Sequence, residues 1–558
     1  MASKPLSRWR PTLPSMGQIR LSEIFWAVLP GVLAGFAILY PFFLSSGEFI
    51  YLDWSGTSVN LNPFTDFMQL YGQDWLGFRF IPFLLAQLPF ILLFGAGASA
   101  IFSKLFFLFI FALASTGLYL LLKEYSRPVY LLAVALLCFS PFVYERVMMG
   151  QFFAVLSLAA LPLILHLARE FVAPPSFSSA WKPAAALTFL CLQAQGLLIN
   201  TLVVSAYLSV HAILSGKTRE LVRPYLGFAA FLLLFNLYWL IPGLLFPGPP
   251  ILSSIDSTHL EFFQPRPSAN FNTLVKAAGM YGAWRENSMR LAYNYPLLPV
   301  PRDSWKLLSV AFVAFLLFLS AYAILHSKNN AVFITLLLCW PAGLFLAAGI
   351  SHPWSEGAFG WFAQNLPFFS AFRDSNKWVE LVAIAYAVLA PIGASILFKG
   401  SRLGPALAVI FLLVLVYDYP IFGLSGQISP GRFPGEYATM GDLAAPSGKT
   451  IYLPWMLYAS YNWSSSFGPD GRIAVPLKFS QPAIISGSDA ADFGAVSAES
   501  QEISDCLALR DPACLASRGV SRVIVDECFA ARDLYSWVGA DRHIYKRQGC
   551  LTVYELKR

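Results

Sequence analysis

Charged residues are scarce in this sequence, and where they gather they do so beside aromatic residues at the ends of long apolar stretches. Tyr51-Leu52-Asp53-Trp54 leads a segment that continues through Asp66, Asp74-Trp75 and Arg79. Ser140-Pro141-Phe142-Val143-Tyr144-Glu145-Arg146 closes an apolar run and leads to Gly150-Gln151. Residues 247–304 carry Asp256, His259, Glu261, Arg266, Lys276, Trp284, Arg285, Glu286 and Arg290, and residues 366–378 carry Arg373, Asp374 and Lys377. The chemistry open to these types is limited. A carboxylate such as Asp53 takes a proton from a hydroxyl or caps a turn before Trp-Ser-Gly. Glu145 and Arg146, ionisable at the end of an apolar helix, face a cavity or pair with one another. Arg373 and Lys377, spaced i and i+4, share a helical face on which a guanidinium fork and an ammonium neutralise a phosphate, with Asp374 orienting them, or anchor a helix at an interface.

Soluble-enzyme motifs do not occur: there is no H-E-x-x-H, no G-x-x-x-x-G-K-[ST] and no G-x-S-x-G. Gly95 to Ala100 (GAGASA) fits a dinucleotide fingerprint but sits in an apolar run with no soluble strand before it, so close helix packing is the expected role. His166 and His211 fall in apolar spans as packing residues. Trp54, Trp75, Trp354, Trp361 and Trp378 read mostly as an interfacial belt. Asn462-Trp463-Ser464 is formally a glycosylation acceptor.

The elements that hold these residues must be membrane helices. Of 558 residues 57% are hydrophobic and only 12% charged, which excludes both a soluble single-domain enzyme and a disordered chain. The net charge of +7 is not a nucleic-acid signature, because residues 424–558 hold 13 basic and 14 acidic residues and the surplus lies in the apolar part. Spans are expected near 24–44, 101–122, 129–147, 152–168, 183–198, 199–215, 225–246, 305–326, 331–350, 378–398 and 403–421, eleven in all. Phe80 to Ala98 is expected to lie at the interface or re-enter rather than cross. That choice puts Lys4, Arg8, Arg10, Arg20, Lys123, Arg127, Arg169, Lys182, Lys217, Arg219, Arg223, Lys328, Lys399 and Arg402 on the inside. The first span is read as a retained anchor.

Past Tyr419-Pro420 the hydropathy falls and Gly, Ser and Pro punctuation marks a boundary. The expected domains are a cytoplasmic basic N-terminus (1–22), a transmembrane domain (23–422) with external loops 45–100, 247–304 and 351–377, and an extracytoplasmic α/β domain (423–558). In the tail, Ile451 to Leu453, Arg522 to Val525 and Leu551 to Leu556 read as strands and Gln501 to Arg518 as helix. Cys506, Cys514, Cys528 and Cys550 all fall there, and three pairings are open. On proximity, Cys506 with Cys514 and Cys528 with Cys550 are expected.

An acid just past the first span, a long first external loop, a third helix ending in P-F-V-Y-E-R, an F-R-D-S-N-K stretch and a C-terminal external domain together resemble the GT-C class of membrane glycosyltransferases. Arabinofuranosyltransferase-like membrane proteins are the nearer likeness and protein O-mannosyltransferases share the plan, whereas the W-W-D-Y-G motif of oligosaccharyltransferases is absent. The resemblance implies a mostly α, polytopic GT-C-like bundle with a C-terminal soluble α/β domain. It also implies a multi-pass cell-membrane enzyme of cell-envelope glycan biosynthesis, moving a hexose or pentose from a polyprenyl-phosphate donor to an extracytoplasmic glycan, lipid or protein. Asp53 would be the general base and Glu145 a second catalytic carboxylate holding the acceptor or a metal. Arg146, Arg373 and Lys377 would bind the donor phosphate, with Asp74, Asp374 and Trp54 in support. No visible ligand set requires a metal, and a divalent cation, Mg or Mn, stays open. So do two other readings: a transporter or flippase for a lipid-linked or polar substrate, and a catalytically silent assembly subunit.

Overall fold

The computed structural model describes residues 21–54, 79–95, 98–173, 175–245, 257–267, 271–284, 302–326, 330–366, 369–399, 423–456, 458–464, 472–473, 475, 484–487, 498–539 and 544–556. In hydrocarbon a chain must satisfy its backbone amides within its own segment, and the apolar runs accordingly form helices. These are α1 (Leu21–Leu44), α2 (Ile81–Phe94), α3 (Ala98–Leu122), α4 (Arg127–Cys138), α5 (Pro141–Met148), α6 (Phe152–Phe171), α7 (Trp181–Leu190), α8 (Ala194–Ser215) and α9 (Thr218–Leu245). The short α10 (Ser257–Phe262) and α11 (Thr273–Ala278) follow, then α12 (Arg302–His326), α13 (Ala331–Ala348), α14 (Pro353–Asn365) and α15 (Val379–Leu397).

Among the described residues, eight helical stretches are long and apolar enough to cross a membrane: α1, α3, α4 with α5, α6, α8, α9, α13 and α15 with its lead-in from Ser375. The difference from eleven has identifiable causes. The expected span 183–198 is not one helix: α7 ends after ten residues, the chain turns at Cys191 to Gln193, and α8 begins. Residues 403–421 lie outside the described residues. Helix α12, with 25 residues, covers the expected span 305–326, and its apolar part among the residues with described side chains is Val310–His326. Helix α2 has 14 residues, a length of about 21 Å against a hydrocarbon core of about 30 Å. Gly95 adopts φ +53° with open space where a β-carbon would stand, so it serves a turn, whereas Ala98 and Ser99 of the same stretch are buried and Gly97 lies outside the described residues.

The bundle is organised around α15, in which every residue from Val379 to Gly393 is buried, and which packs on α12, α13 and α4. Close approach relies on small residues: a β-carbon at Gly393 would lie 1.9 Å from the Leu319 carbonyl oxygen, and one at Gly31 of α1 2.0 Å from that of Phe111 on α3. Such contacts leave no room for Ala.

The C-terminal domain holds β1 (Lys449–Leu453), β2 (Ala459–Ser460), β3 (Arg472–Ile473), β4 (Ile484–Ser486), β5 (Val520–Asp526), β6 (Ile544–Gln548) and β7 (Leu551–Glu555). The main sheet has the order β4-β1-β5-β7-β6, with β1 parallel to both neighbours and β7 antiparallel to both of its own. The expected helix at Gln501 to Arg518 is two, α16 (Ala498–Ala508) and α17 (Pro512–Ser517), because Asp511-Pro512 stops one and starts the next, with the Asp511 carboxylate accepting from the Ala513 amide at 2.8 Å. Disulfides join Cys506 to Cys514 and Cys528 to Cys550.

At the end of β5, Asp526 is buried and accepts the hydroxyls of Tyr437 at 2.5 Å and Tyr452 at 2.7 Å and the Cys528 amide at 2.9 Å. Burial outweighs these donors and pushes its carboxyl up to about 6. The folded state therefore holds this proton more tightly than the unfolded chain. Its contribution to stability is complete below the ordinary Asp range and is lost as pH rises through about 6. Asp526→Asn is expected to flatten that part of the profile, read as amide exchange of the β5 residues between pH 4 and 7.

Candidate functional site

Asp53 sits in a turn clamped from several sides. Tyr51 and Trp54 exchange backbone hydrogen bonds at 2.9 and 3.1 Å, and between them Leu52 is held at φ +47°, a conformation uncommon for a branched side chain. The next turn of the bundle presses against it: the Asp53 amide donates to the Met149 carbonyl at 3.2 Å, and a β-carbon on Gly150 would lie 2.5 Å from the Trp54 nitrogen, so only glycine fits there at φ +71°. Trp54, expected as site support, is buried instead among Phe106, Phe107, Phe152 and Phe153, with centroids 5.2 to 5.9 Å away. It anchors the turn and does not face the cavity.

That cavity, of about 300 Å³, is lined by Asp53, Gln151, Gln193, Gln195, Phe263, Trp284, Arg373, Asp374, Lys377 and Tyr458, among others. Both Asp53 oxygens have donors: Gln151 Nε2 to Oδ2 at 2.8 Å, and the Tyr458 hydroxyl to Oδ1. Arg373 and Lys377 reach the wall by a route other than the one helix expected. Two 3₁₀ turns, Phe369–Phe372 and Ser375–Trp378, flank Arg373 and Asp374. Gln264 fixes this segment, donating to the Arg373 carbonyl at 2.8 Å while its own carbonyl accepts from Ser375 Oγ at 3.0 Å and the Ile350 amide at 3.1 Å. The Arg373 guanidinium lies 4.8 Å over the Phe263 ring.

Two expected residues stand behind the wall rather than in it. Glu145 is fully buried and accepts the amides of Gly282 at 3.0 Å and Ala283 at 3.2 Å, so it holds the turn that brings Trp284 to the cavity and has no face for an acceptor. Arg146, also fully buried, donates to Asp374 Oδ2 at 2.7 Å, to Gln151 Oε1 at 2.6 Å and to Asn376 Oδ1, its Nε is buried without a partner among the described residues, and it is not part of the cavity lining that Arg373 and Lys377 supply. Asp374 consequently pairs with Arg146 instead of orienting Arg373 and Lys377. Asp74 lies outside the described residues. Tyr458 is the residue for which the sequence offers no signal, being 405 positions from Asp53.

Among the described residues, the donor set does not fit a resident divalent cation. Such an ion needs several convergent oxygen ligands, whereas each Asp53 oxygen faces a hydrogen-bond donor, the Gln151 carbonyl is taken by Arg146, and Asp374 is buried against the same guanidinium. The closest grouping of metal-ligand types among the described residues is Asp526 with Cys528 and Cys550. Its two sulfurs form a disulfide and are not thiolates.

A second, larger cavity of about 800 Å³ adjoins the first, sharing Gln193, Gln195 and Ala371. It runs between α8 and α9 and is mainly apolar, with Leu197, Leu198, Leu208, Phe228, Leu232 and Leu240 in its wall. The break between α7 and α8 makes the junction. Buried Arg79 holds that break open, its Nε donating to the Leu192 carbonyl at 3.0 Å and a terminal nitrogen to that of Cys191 at 2.5 Å, while it stacks 4.7 Å from the Trp239 ring. These carbonyls end α7, where a cation is favourable.

Removing Arg146 strands a buried carboxylate, at a cost of about 3 to 5 kcal/mol. Arg146→Ala is therefore expected to lower the unfolding temperature in detergent far more than Arg373→Ala, whose guanidinium borders the open cavity. Equal effects would remove Arg146 from this organising role.

No family model and no curated protein matches the chain. Among solved structures it is similar to the oligosaccharyltransferase of Archaeoglobus fulgidus in its apo form, at 13% identity over 91% of this chain and 69% of that one, with a TM-score of 0.49. It is also similar to the same enzyme in complex with zinc and sulfate, at 12% identity over 90% and 68%, with a TM-score of 0.41.

Proposed function

We propose that the protein is a membrane glycosyltransferase that moves a hexose or pentose from a polyprenyl-phosphate donor to an extracytoplasmic hydroxyl, with Asp53 as general base. The observation that carries this reading is the junction of two unlike cavities, one polar with two carboxylates, Asp53 and Asp374, and two cations, the other apolar and open between membrane helices. A lipid-linked phosphosugar has the same two parts. Its isoprenoid chain would lie between α8 and α9, its phosphate beside Arg373 and Lys377, and its sugar against Trp284 and Phe263.

In the reaction the acceptor oxygen attacks the anomeric carbon as the bond from that carbon to the phosphate oxygen breaks. Asp53 takes the acceptor's proton, and the electron pair leaves with the polyprenyl phosphate. Arg373 and Lys377 offset the negative charge gathering there, an effect that a cavity partly closed to water strengthens. Gln193 and Gln195, at the neck, supply polar groups where phosphate meets hydrocarbon.

The experiment uses the purified protein in nanodiscs with farnesyl-phosphate derivatives of radiolabelled arabinofuranose and mannose, and a mixture of glycan and lipid hydroxyl acceptors. Asp53→Asn is expected to lower transfer by about 10²- to 10⁴-fold with donor retention unchanged. Transfer by Asp53→Asn at the parent rate would end the proposal.

The sidedness that goes with it places the tail in an oxidising compartment. Membrane-impermeant maleimide applied to intact cells is expected to label Cys506, Cys514, Cys528 and Cys550 only after reduction from outside. Labelling that required permeabilised cells would reverse the topology and put Asp53 on the wrong side.

A further inference from the structure

We infer that Gln151 and Tyr458 are positioning residues that hold the Asp53 carboxylate as an oriented anion, and that the C-terminal domain is thereby part of the site. The inference rests on the reading of Asp53 as base. Its ground is the chain of bonds around that carboxylate. Asn376 and Asp374 fix the Arg146 guanidinium, Arg146 donates to Gln151 Oε1 at 2.6 Å, and the amide has only one orientation left, with Nε2 toward Asp53 Oδ2 at 2.8 Å. An amide whose oxygen is committed to a guanidinium cannot turn that oxygen on a carboxylate, so Gln151 always presents a donor there. The other oxygen is held from the opposite domain. Tyr458 lies just before β2, and β3, paired with β2, carries Arg472, whose carbonyl accepts the Leu52 amide at 3.2 Å. One small hairpin therefore grips both the backbone before Asp53 and its side chain.

A general base placed so near two cations and an incoming phosphate must not swing to form an ion pair with Lys377 or Arg373. Two hydrogen bonds from opposite sides prevent this while leaving each carboxylate oxygen a further lone pair for the acceptor's proton. Among the described residues, the charged groups that bear on Asp53 are Arg373, Asp374 and Lys377 across the cavity and Arg146 behind Gln151. Only Gln151 and Tyr458 touch the carboxylate in the described contacts, and neither is itself charged. Undocking of the tail would release one oxygen, so transfer depends on the two domains being joined.

The test reads the carboxylate directly. Full-length protein labelled with ¹³C-aspartate is recorded in nanodiscs by infrared spectroscopy at neutral pH, and the spectrum of Asp53→Asn is subtracted to isolate the carboxylate bands of Asp53. Tyr458→Phe removes one donor to the anion and is expected to shift and broaden those bands, with Gln151→Leu moving them in the same direction and the double variant further. In the farnesyl-phosphate transfer assay kcat should fall in both single variants while KM for the donor stays put. Bands that coincide with the parent's in both single variants would overturn the clamp. Shifted bands with undiminished transfer by Asp53→Asn would instead uphold the clamp and overturn the assignment of Asp53 as base, so the two failures are distinct.

Discussion

The buried guanidinium of Arg146 is the constraint on which the rest of the site depends. A fully buried cation inside a helix bundle is tolerable only if oxygens close around it, and here those oxygens come from two stretches of chain: Asp374 and Asn376 ahead of α15, and Gln151 at the start of α6. Satisfying one charge thereby fixes the segment that carries Arg373 and Lys377 relative to the turn that carries Gln151. The turn at Gly150 in turn seats Asp53. A charge that is costly to bury has become the device that sets the geometry of groups which touch the cavity.

Glu145 does the same on the neighbouring side. Its carboxylate takes two backbone amides from a turn in which Met280 and Gly282 both have positive φ, and so pins a loop with little helix of its own against α5. The helix that carries both residues is only eight residues long, and every one of them is buried. Ser140 caps it and Pro141 opens it, so the span ends in a separate turn of helix whose charged pair points inward in two directions. Had α4 run on unbroken, Glu145 and Arg146 would have projected at different angles, and neither partner set could have formed.

Much of this was legible in the sequence. Hydropathy located the long helices of the described residues and the apolar run of the short α2, and proximity paired the cysteines. The clusters around Asp53, Glu145 and Arg373 were visible as charge set beside aromatic residues at helix ends. What sequence spacing left open was direction. Glu145 and Arg146 can face a ligand or pair with one another on sequence grounds, because their actual partners, the amides of Gly282 and Ala283 and the side chains of Asp374 and Asn376, lie more than 130 residues away. The i, i+4 spacing of Arg373 and Lys377 suggested a helix face, whereas 3₁₀ turns deliver both to the cavity. The break after Leu190 has neither Pro nor Gly to announce it. Its cause is Arg79, over a hundred residues upstream, which stabilises carbonyls that a continuous helix would have bonded internally.

That break is also where the two halves of the site meet. A continuous helix from Trp181 to Ser215 would present side chains alone along its length, and the apolar cavity would be separated from the polar one by an unbroken wall. Interrupting it exposes Gln193 and Gln195 to both cavities, so the polar groups at the break line a space. The cost is two unsatisfied carbonyls, and Arg79 offsets it without bringing a carboxylate into the apolar region. Broken helices also line the midplane sites of transporters, where paired interruptions let two halves rock about a substrate. Here the cation at the break is committed to its carbonyls and stacked on Trp239, and the carboxylate stands across the neck, gripped by the C-terminal domain. An arrangement pinned at both ends suits chemistry on a substrate held at the boundary between hydrocarbon and water better than passage through it.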